Sequence, residues 1–293
     1  MSTIGIVNGT PVGEALVARL GTDGRKVVSG VDASSLKRIC AEARLVLVDA
    51  SRSDLGPLLR QLGEHLDPNH LVAHTVHGLG QEGRVSQLIE AESAVKRVGV
   101  LAGPLLVSAL RAGTPTAAVI ASHHPEVTEE FAAALSTKNL RVYRSRDAEG
   151  VELCASLSEL AVVACAMVDA LSLGAPARAL LVTRVVRELG RLVALIGGDP
   201  GTANGLAGLG DLLVRGADPT TPPYQAGVAL ATGGEPDAAT FESLQRTAAR
   251  LAVINAGRKV SAHVFHGIAA ALTERVEPAV LIGQLMSIRV LDE

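Results

Sequence analysis

The first stretch that could do chemistry is "NGTPVG", residues 8–13, which lies between a short apolar run and an amphipathic helical pattern. A turn at this place binds a dinucleotide pyrophosphate when it reads G-x-G-x-x-G, because its glycines allow a tight turn, close phosphate approach and helix–strand packing. Here Asn8, Thr10 and Gly13 hold the three glycine positions. Thr10 adds a side chain where phosphate comes closest, and Pro11 removes a backbone N–H donor. The pattern indicates a degenerate dinucleotide site at Gly9, Thr10 and Gly13, and it predicts weak NAD(P) binding or none.

Other kinds of chemistry have less support in the sequence. The pair His123-His124 has no further ligands at metal spacing, so no metal site is predicted. The three cysteines lie in no metal or CxxC spacing and are expected to be buried thiols of a reducing compartment. The formal net charge is −3 and no run of Lys and Arg occurs, which argues against a nucleic-acid partner. No signal peptide and no apolar run of about 18 residues is present, so we expect a cytoplasmic protein without a membrane span.

The chain divides into two parts that differ in their hydrophobic pattern. Up to about residue 146, short apolar runs alternate with helical patterns, which is typical of a doubly wound, mostly parallel sheet. The predicted strands are 3–7, 26–30, 43–50, 70–76, 95–103, 116–122 and 140–145, and the predicted helices are 13–20, 56–66 and 126–136. From residue 147 the pattern is helical, with predicted helices at 148–173, 177–195, 223–232, 237–256, 258–275 and 278–290. We therefore predict a Rossmann-like domain over 1–146 and an all-α domain over 147–293.

Several motifs follow one another in an order that points to a known family. They are "LAGP" (101–104), "AGTPTAAVIAS" (112–122), "LRVYRSRDAEGVEL" (140–153), "ARALLVTR" (177–184) and "GLAGLGDL" (205–212). Together they resemble bacterial NAD(P)-dependent glycerol-3-phosphate dehydrogenase over nearly the whole chain, and Gly227 is in register with the final glycine of that family's signature. The resemblance implies a second domain like the helical domain of 6-phosphogluconate dehydrogenase. It also implies hydride transfer between nicotinamide and C2 of glycerol 3-phosphate or dihydroxyacetone phosphate.

The positions that carry this chemistry in the family are substituted here. The resemblance places its two lysines, which supply ammonium groups near the C2 oxygen, at His77 and Ser158, and the asparagine beside the second lysine at Glu159. Its Ser-Arg-Asn substrate clamp falls on residues 221–223, Thr-Pro-Pro, and a family threonine becomes Arg215. Asp211 alone is retained among the residues that would touch substrate.

Each remaining candidate has two interpretations. Asp211 is either a surviving catalytic partner or a helix cap in a glycine-rich loop, and His77 is either an acid–base group or a polar turn residue. Arg215 is a candidate substrate-binding residue or a solvated arginine on a helix surface. Glu159 is expected at a helix surface or paired with an arginine. None of these residues is assigned as catalytic.

The losses together favour a protein that has lost catalysis. We expect a glycerol-3-phosphate dehydrogenase-like binding, scaffold or regulatory protein, a pseudoenzyme, which associates as a homodimer or with another protein. The alternative is an active NAD(P)-dependent dehydrogenase that uses His77 and Asp211. It would act on an altered small substrate, or on glycerol 3-phosphate and dihydroxyacetone phosphate.

Overall fold

A computed structural model describes residues 3–80, 83–256 and 260–274, together with residues 280 and 283. Its contacts divide the chain into two compact units, Met1–Glu152 and Leu153–Glu293. Each unit is described by itself below.

The first unit is built on a seven-stranded sheet with the order β2-β1-β3-β4-β5-β6-β7. The strands are β1 (Ile4–Asn8), β2 (Val27–Ser29), β3 (Leu45–Asp49), β4 (Leu71–His74), β5 (Val98–Ala102), β6 (Thr116–Ala121) and β7 (Leu140–Ser145). Every neighbouring pair is parallel except β5 and β6, which run antiparallel. The predicted doubly wound, mostly parallel sheet is therefore confirmed.

Helices cover both faces of this sheet. They are α1 (Pro11–Thr22), α2 (Ala33–Glu42), α3 (Leu55–Gly63), α4 (Val85–Glu92), α5 (Val107–Ala112) and α6 (Pro125–Leu135). Alternate strand residues enter two separate cores: Ile6 and Leu47 point to one, and Val7 and Val48 to the other. Burial on both faces explains why β1 and β3 read as continuous apolar runs.

The register of β1 and β3 places the ends of these two strands side by side. Asn8, the last residue of β1, is paired with Asp49, the last residue of β3. Because the strands are parallel, their carboxyl ends lie at one edge of the sheet, where ligands bind in open α/β sheets. Residues 36 or more positions apart in sequence thereby come into hydrogen-bond contact.

The second unit is helical throughout its described residues, as predicted. Its helices are α7 (Ala148–Ala170), which begins at the end of the first unit, α8 (Gly174–Leu195), α9 (Asp211–Arg215), α10 (Pro222–Ala231), α11 (Ala238–Asn255) and α12 (His263–Glu274). A 3-10 turn (Pro200–Asn204) and a π-helical turn (Leu206–Gly210) precede α9. The predicted helix 278–290 lies almost entirely outside the described residues.

Helix α7 is apolar over most of its surface. By length and composition it could cross a membrane, and it is the single helix of this kind in the described part of the chain. In the protein, 94% of its most apolar window is buried. Its apolar surface is therefore covered within one chain and does not by itself require a partner copy.

Candidate functional site

The loop that joins β1 to α1 forms the first candidate site. Thr10 is the N-cap of α1, and its Oγ1 accepts a hydrogen bond from the Val12 N–H at 3.2 Å. Pro11 occupies the first helical position, where its fixed φ suits a helix start and its missing N–H costs little. The substitutions that depart from the glycine fingerprint therefore build a well-capped helix.

A carboxylate from β3 occupies the N-terminus of this helix. Asp49 Oδ2 accepts hydrogen bonds from the Thr10 N–H at 2.9 Å and the Gly13 N–H at 3.1 Å, and its Oδ1 accepts one from the Thr75 hydroxyl at 2.7 Å. The Gly9 N–H donates to the Asp49 carbonyl oxygen at 2.8 Å. The Asp49 side chain is buried, and burial raises its pKa, although the hydrogen bonds from Thr75, Thr10 and Gly13 act in the opposite direction.

Gly13 is required by the close approach of Asp49. A Cβ at position 13 would lie 2.4 Å from Asp49 Oδ2 and 2.9 Å from the Asn8 Cα. In this loop the retained glycine therefore makes room for a carboxylate and for the preceding strand.

His77 lies at the same edge of the sheet. It follows β4 by three residues, is half-buried, and precedes Gly78, whose φ of 86° is in the left-handed region that favours glycine. His77 therefore belongs to a tight turn after a buried strand, and its catalytic role stays a prediction.

Glu152 makes a buried contact to which the sequence analysis gave no role. Its carboxylate accepts hydrogen bonds from the Ser86 N–H at 3.3 Å, from the Val85 N–H and from the Ser86 hydroxyl. It thereby satisfies the first N–H groups of α4, which otherwise lack acceptors. His74 lies beside this pair; burial lowers its pKa, and the charge of Glu152 acts in the opposite direction.

The second candidate site is a buried polar cluster in the helical unit. The Ser158 hydroxyl on α7 donates a hydrogen bond to Asp211 Oδ2 at 2.6 Å. Arg215, one turn after Asp211 on α9, lies 3.3 Å from the same oxygen. Its other terminal nitrogen lies 3.3 Å from Glu159 Oε1. The structure thus brings together four positions that the resemblance places in the substrate site.

Burial controls the charges of this cluster. Asp211 is fully buried, and the side chains of Arg215 and Glu159 are 12% and 15% exposed. Desolvation raises the pKa of both Asp211 and Glu159, while Arg215 acts in the opposite direction on each. One guanidinium therefore stabilises two carboxylates that burial disfavours.

Two of the expectations for these residues change. Asp211 does not cap a helix through its side chain, which instead bonds to Ser158 and Arg215. Arg215 is not solvated, because the cluster encloses it. Glu159 has the arginine partner that was one of its two expected environments.

The positions that match the family's substrate clamp begin α10. Thr221 is the buried N-cap residue, and its hydroxyl donates to the carbonyl oxygens of Arg215 and Asp218 at 3.3 and 3.0 Å. Pro222 and Pro223 are the first two residues of the helix. No guanidinium or amide side chain stands at these two positions.

The comparisons with known proteins decide the family. The model of the NAD-dependent glycerol-3-phosphate dehydrogenase N-terminus matches residues 25–128, and the model of the C-terminus of the same family matches residues 147–283. The chain belongs to the glycerol-3-phosphate dehydrogenase family. The resemblance seen in the sequence motifs is thereby confirmed.

Individual relatives agree with this assignment. The chain is 31% identical to glycerol-3-phosphate dehydrogenase [NAD(P)+] of Sinorhizobium fredii, over 88% of this chain and 79% of that one. It is 34% identical to the enzyme of that name from Pseudomonas aeruginosa, over 72% of this chain and 62% of that one. The solved structure of glycerol-3-phosphate dehydrogenase from Coxiella burnetii superimposes with a TM-score of 0.86 at 24% identity, covering 98% and 99% of the two chains. The latter comparison supports the fold.

One sequence-based prediction is wrong in the light of these relatives. The substitutions in residues 8–13 predicted that NAD(P) binds weakly or not at all. The family model and the curated relatives are those of NAD(P)-dependent dehydrogenases, so a nicotinamide cofactor is the expectation for this fold. The prediction failed because it equated loss of fingerprint glycines with loss of the binding function.

Proposed function

We propose that this member of the glycerol-3-phosphate dehydrogenase family binds NAD(P) but no longer oxidises glycerol 3-phosphate, and that it serves as a binding, scaffold or regulatory protein. One observation carries the proposal. The second lysine position is a serine bonded to Asp211, and the cation at this cluster, Arg215, is held between two carboxylates. A guanidinium with both ends paired has little remaining capacity to stabilise charge that develops on a substrate oxygen.

The clamp positions support the same conclusion. Pro222 and Pro223 offer no charged group to a substrate phosphate. In phosphoryl-substrate enzymes, binding of a remote phosphate orients the reacting carbon, and good orientation is worth on the order of 7–11 kcal/mol of barrier reduction. Loss of phosphate binding therefore lowers the rate of the chemical step as well as the affinity for substrate.

NAD(P) would be held by the Rossmann-like domain predicted over 1–146, with its pyrophosphate at the N-terminus of α1 near Gly9, Thr10 and Gly13. This part of the proposal is supported by the NAD(P)+ in the names of the curated relatives. The bound nicotinamide supplies or accepts a hydride in such dehydrogenases. The all-α domain predicted over 147–293 would carry the other binding function, with a second copy of the chain or another protein as partner. A cytoplasmic location is proposed from the three buried cysteines, whose spacing matches neither a metal site nor a CxxC motif.

A second candidate function rests on one oxygen atom. Asp211 Oδ1 is buried and has no hydrogen-bond partner among the described residues. A buried acceptor without a partner is costly, and such groups occur where a ligand or a proton completes the site. This atom favours an active dehydrogenase on an alcohol or carbonyl compound that carries no phosphate.

Steady-state assays separate these functions. The purified protein is incubated with NADH or NADPH and dihydroxyacetone phosphate, beside an active relative, and cofactor binding is measured by titration calorimetry. We expect cofactor binding without turnover. Reduction of dihydroxyacetone phosphate at a rate near that of the relative would overturn the proposal. Turnover of unphosphorylated carbonyl compounds alone would establish the second candidate.

A further inference from the structure

The backbone N–H donors of residues 9–13 all have acceptors within this chain. The N–H groups of Gly9, Thr10, Val12 and Gly13 all donate to atoms of this chain, and Pro11 has no N–H. Each of these backbone N–H groups therefore has an acceptor within the chain in the absence of a ligand. A pyrophosphate at this loop would therefore compete with acceptors of the chain for these amides.

The acceptor at the centre of this loop is itself an anion. Asp49 Oδ2 receives two of the amides at the positive end of the α1 dipole, the arrangement by which helix N-termini bind phosphate. The Thr75 hydroxyl holds the other oxygen and keeps the carboxylate turned toward the loop. Asp49 thus provides from within the chain what a dinucleotide phosphate provides from outside.

We propose that Asp49 sets the affinity for the dinucleotide by occupying the pyrophosphate position, so that the cofactor binds as Asp49 gives up the Thr10 and Gly13 amides. The inference rests on the NAD(P) binding proposed above. A carboxylate and a phosphate cannot both accept from the same two N–H groups, and two like charges at this distance repel. Binding of the dinucleotide therefore requires that the Asp49 carboxylate leave these two N–H groups.

The burial of Asp49 is compatible with such a displacement. Its carboxylate is held by uncharged donors from the loop and from Thr75, and burial, which raises its pKa, opposes the gain from these hydrogen bonds. The close contact of Asp49 with the loop requires a glycine at position 13, because a Cβ there would clash with Asp49 Oδ2. The loop and the end of β3 act as one unit.

Removal of the charge at position 49 tests the proposal. In Asp49→Asn the side chain keeps its size and loses its charge, so we expect NADH, NADPH and ADP-ribose to bind about tenfold more tightly, the equivalent of one charged hydrogen bond. Adenosine, which carries no pyrophosphate, should bind with unchanged affinity. Dissociation constants are measured by titration calorimetry on the full chain, and folding is checked by circular dichroism and urea unfolding.

Two further variants complete the design. Asp67→Asn makes the same charge change at an exposed residue in the turn before β4, at the opposite edge of the sheet, and should leave every dissociation constant unchanged. Thr75→Val keeps Asp49 but removes the hydroxyl that holds it, so a smaller gain in affinity is expected. Because Val replaces Thr with nearly the same shape, this variant also carries the test if Asp49→Asn is unstable.

The outcomes are distinguishable. Wild-type binding of NADH with no gain in Asp49→Asn and Thr75→Val would overturn the role of Asp49 and leave the proposed cofactor binding intact. A gain for adenosine equal to that for ADP-ribose would also overturn it, because the effect would not concern the pyrophosphate. Absence of NADH binding in all variants would overturn both proposals.

Discussion

At the scale of single residues, the protein keeps a cation in the buried polar cluster of the helical unit but supplies it from a different position than the resemblance implies. Where the resemblance places a lysine, Ser158 donates a hydrogen bond to Asp211, and where it places a threonine, Arg215 approaches the same carboxylate from one turn further along α9. Arg215 also reaches Glu159, which stands at an asparagine position. The buried cluster therefore contains two carboxyl groups, those of Asp211 and Glu159, and one guanidinium, that of Arg215.

This charge balance predicts the effect of Arg215→Met. The substitution leaves two buried carboxylates without their cation, which typically costs about 3–5 kcal/mol of the free energy of unfolding. The pKa of Asp211 and Glu159 is already raised by burial and should rise further. A carboxyl whose pKa is higher in the folded than in the unfolded state binds more protons when folded, so stability falls as pH rises through that interval.

The cost of Arg215→Met should therefore be larger at pH 7.5 than at pH 5, as measured by urea unfolding. Arg246→Met is the control, because Arg246 pairs with the exposed Glu242 on one helix and should cost less than about 1 kcal/mol. Equal costs for Arg215→Met at the two pH values would contradict the assignment of this cluster.

At the scale of elements, Gly227 allows helices α10 and α7 to pack closely. In α10, a Cβ at Gly227 would lie 2.4 Å from the Val163 carbonyl oxygen and 2.7 Å from the Ala166 Cβ, both on α7. The final glycine of the family signature thus has a packing role in this chain. Because interiors are close-packed, a single methyl group cannot be accommodated here without moving one helix.

Gly227→Ala should accordingly destabilise the protein by about 1–3 kcal/mol, the usual cost of overpacking. Gly21→Ala provides the matched control, because Gly21 lies in α1 and a Cβ there would meet nothing within 4 Å. That control should be neutral or stabilise by up to about 1 kcal/mol. Unfolding in urea, followed by circular dichroism, measures both, and equal effects of the two substitutions would disprove the packing argument.

The sequence predicted all seven strands, most of them from apolar runs, although β7 alternates buried and exposed residues. It predicted the long helices from their 3.6-residue period. It missed four shorter helices, α2, α4, α5 and α9. In α2, Leu36, Ile39 and Cys40 have helical spacing and Asp32 is a recognisable N-cap. The contact between Asp211 and Arg215 could have been read from their spacing of four on a helix. The approach of Asp49 to residues 10 and 13 could not, because it depends on the register of two strands.

At the scale of the whole molecule, the positions that the resemblance assigns to cofactor and substrate lie in both units, and many of their polar groups bond to atoms of the same unit. The amides of the loop bond to Asp49, the acids of the helical cluster bond to Arg215, and the clamp positions begin a helix. A single substitution in any one of these places would alter specificity in an otherwise working enzyme. Changes in all of them together are the reason for proposing that glycerol 3-phosphate chemistry has been lost.

A rescue experiment tests this conclusion directly. In the double variant His77→Lys with Ser158→Lys, both ammonium groups of the family return, and positioned acid–base groups are typically worth about 10²–10⁴ in rate. We expect no oxidation of NADH with dihydroxyacetone phosphate above that of the unmodified protein. Residues 222 and 223 carry no charged group that could bind the substrate phosphate. The orientation that phosphate binding provides is worth on the order of 7–11 kcal/mol, which is more than the two lysines restore.

The control for this rescue is His77→Lys with Ser158→Met, which has a side chain of similar length at position 158 without its charge. NADH affinity is measured for every variant, so that failure of cofactor binding is not mistaken for failure of substrate orientation. Adding Pro222→Arg and Pro223→Asn to the two lysines should give the first measurable turnover, because the grip and the acid–base groups are then present together. Activity in the double lysine variant alone would show that the substrate pocket already orients dihydroxyacetone phosphate, and the loss of chemistry would then reduce to two missing ammonium groups.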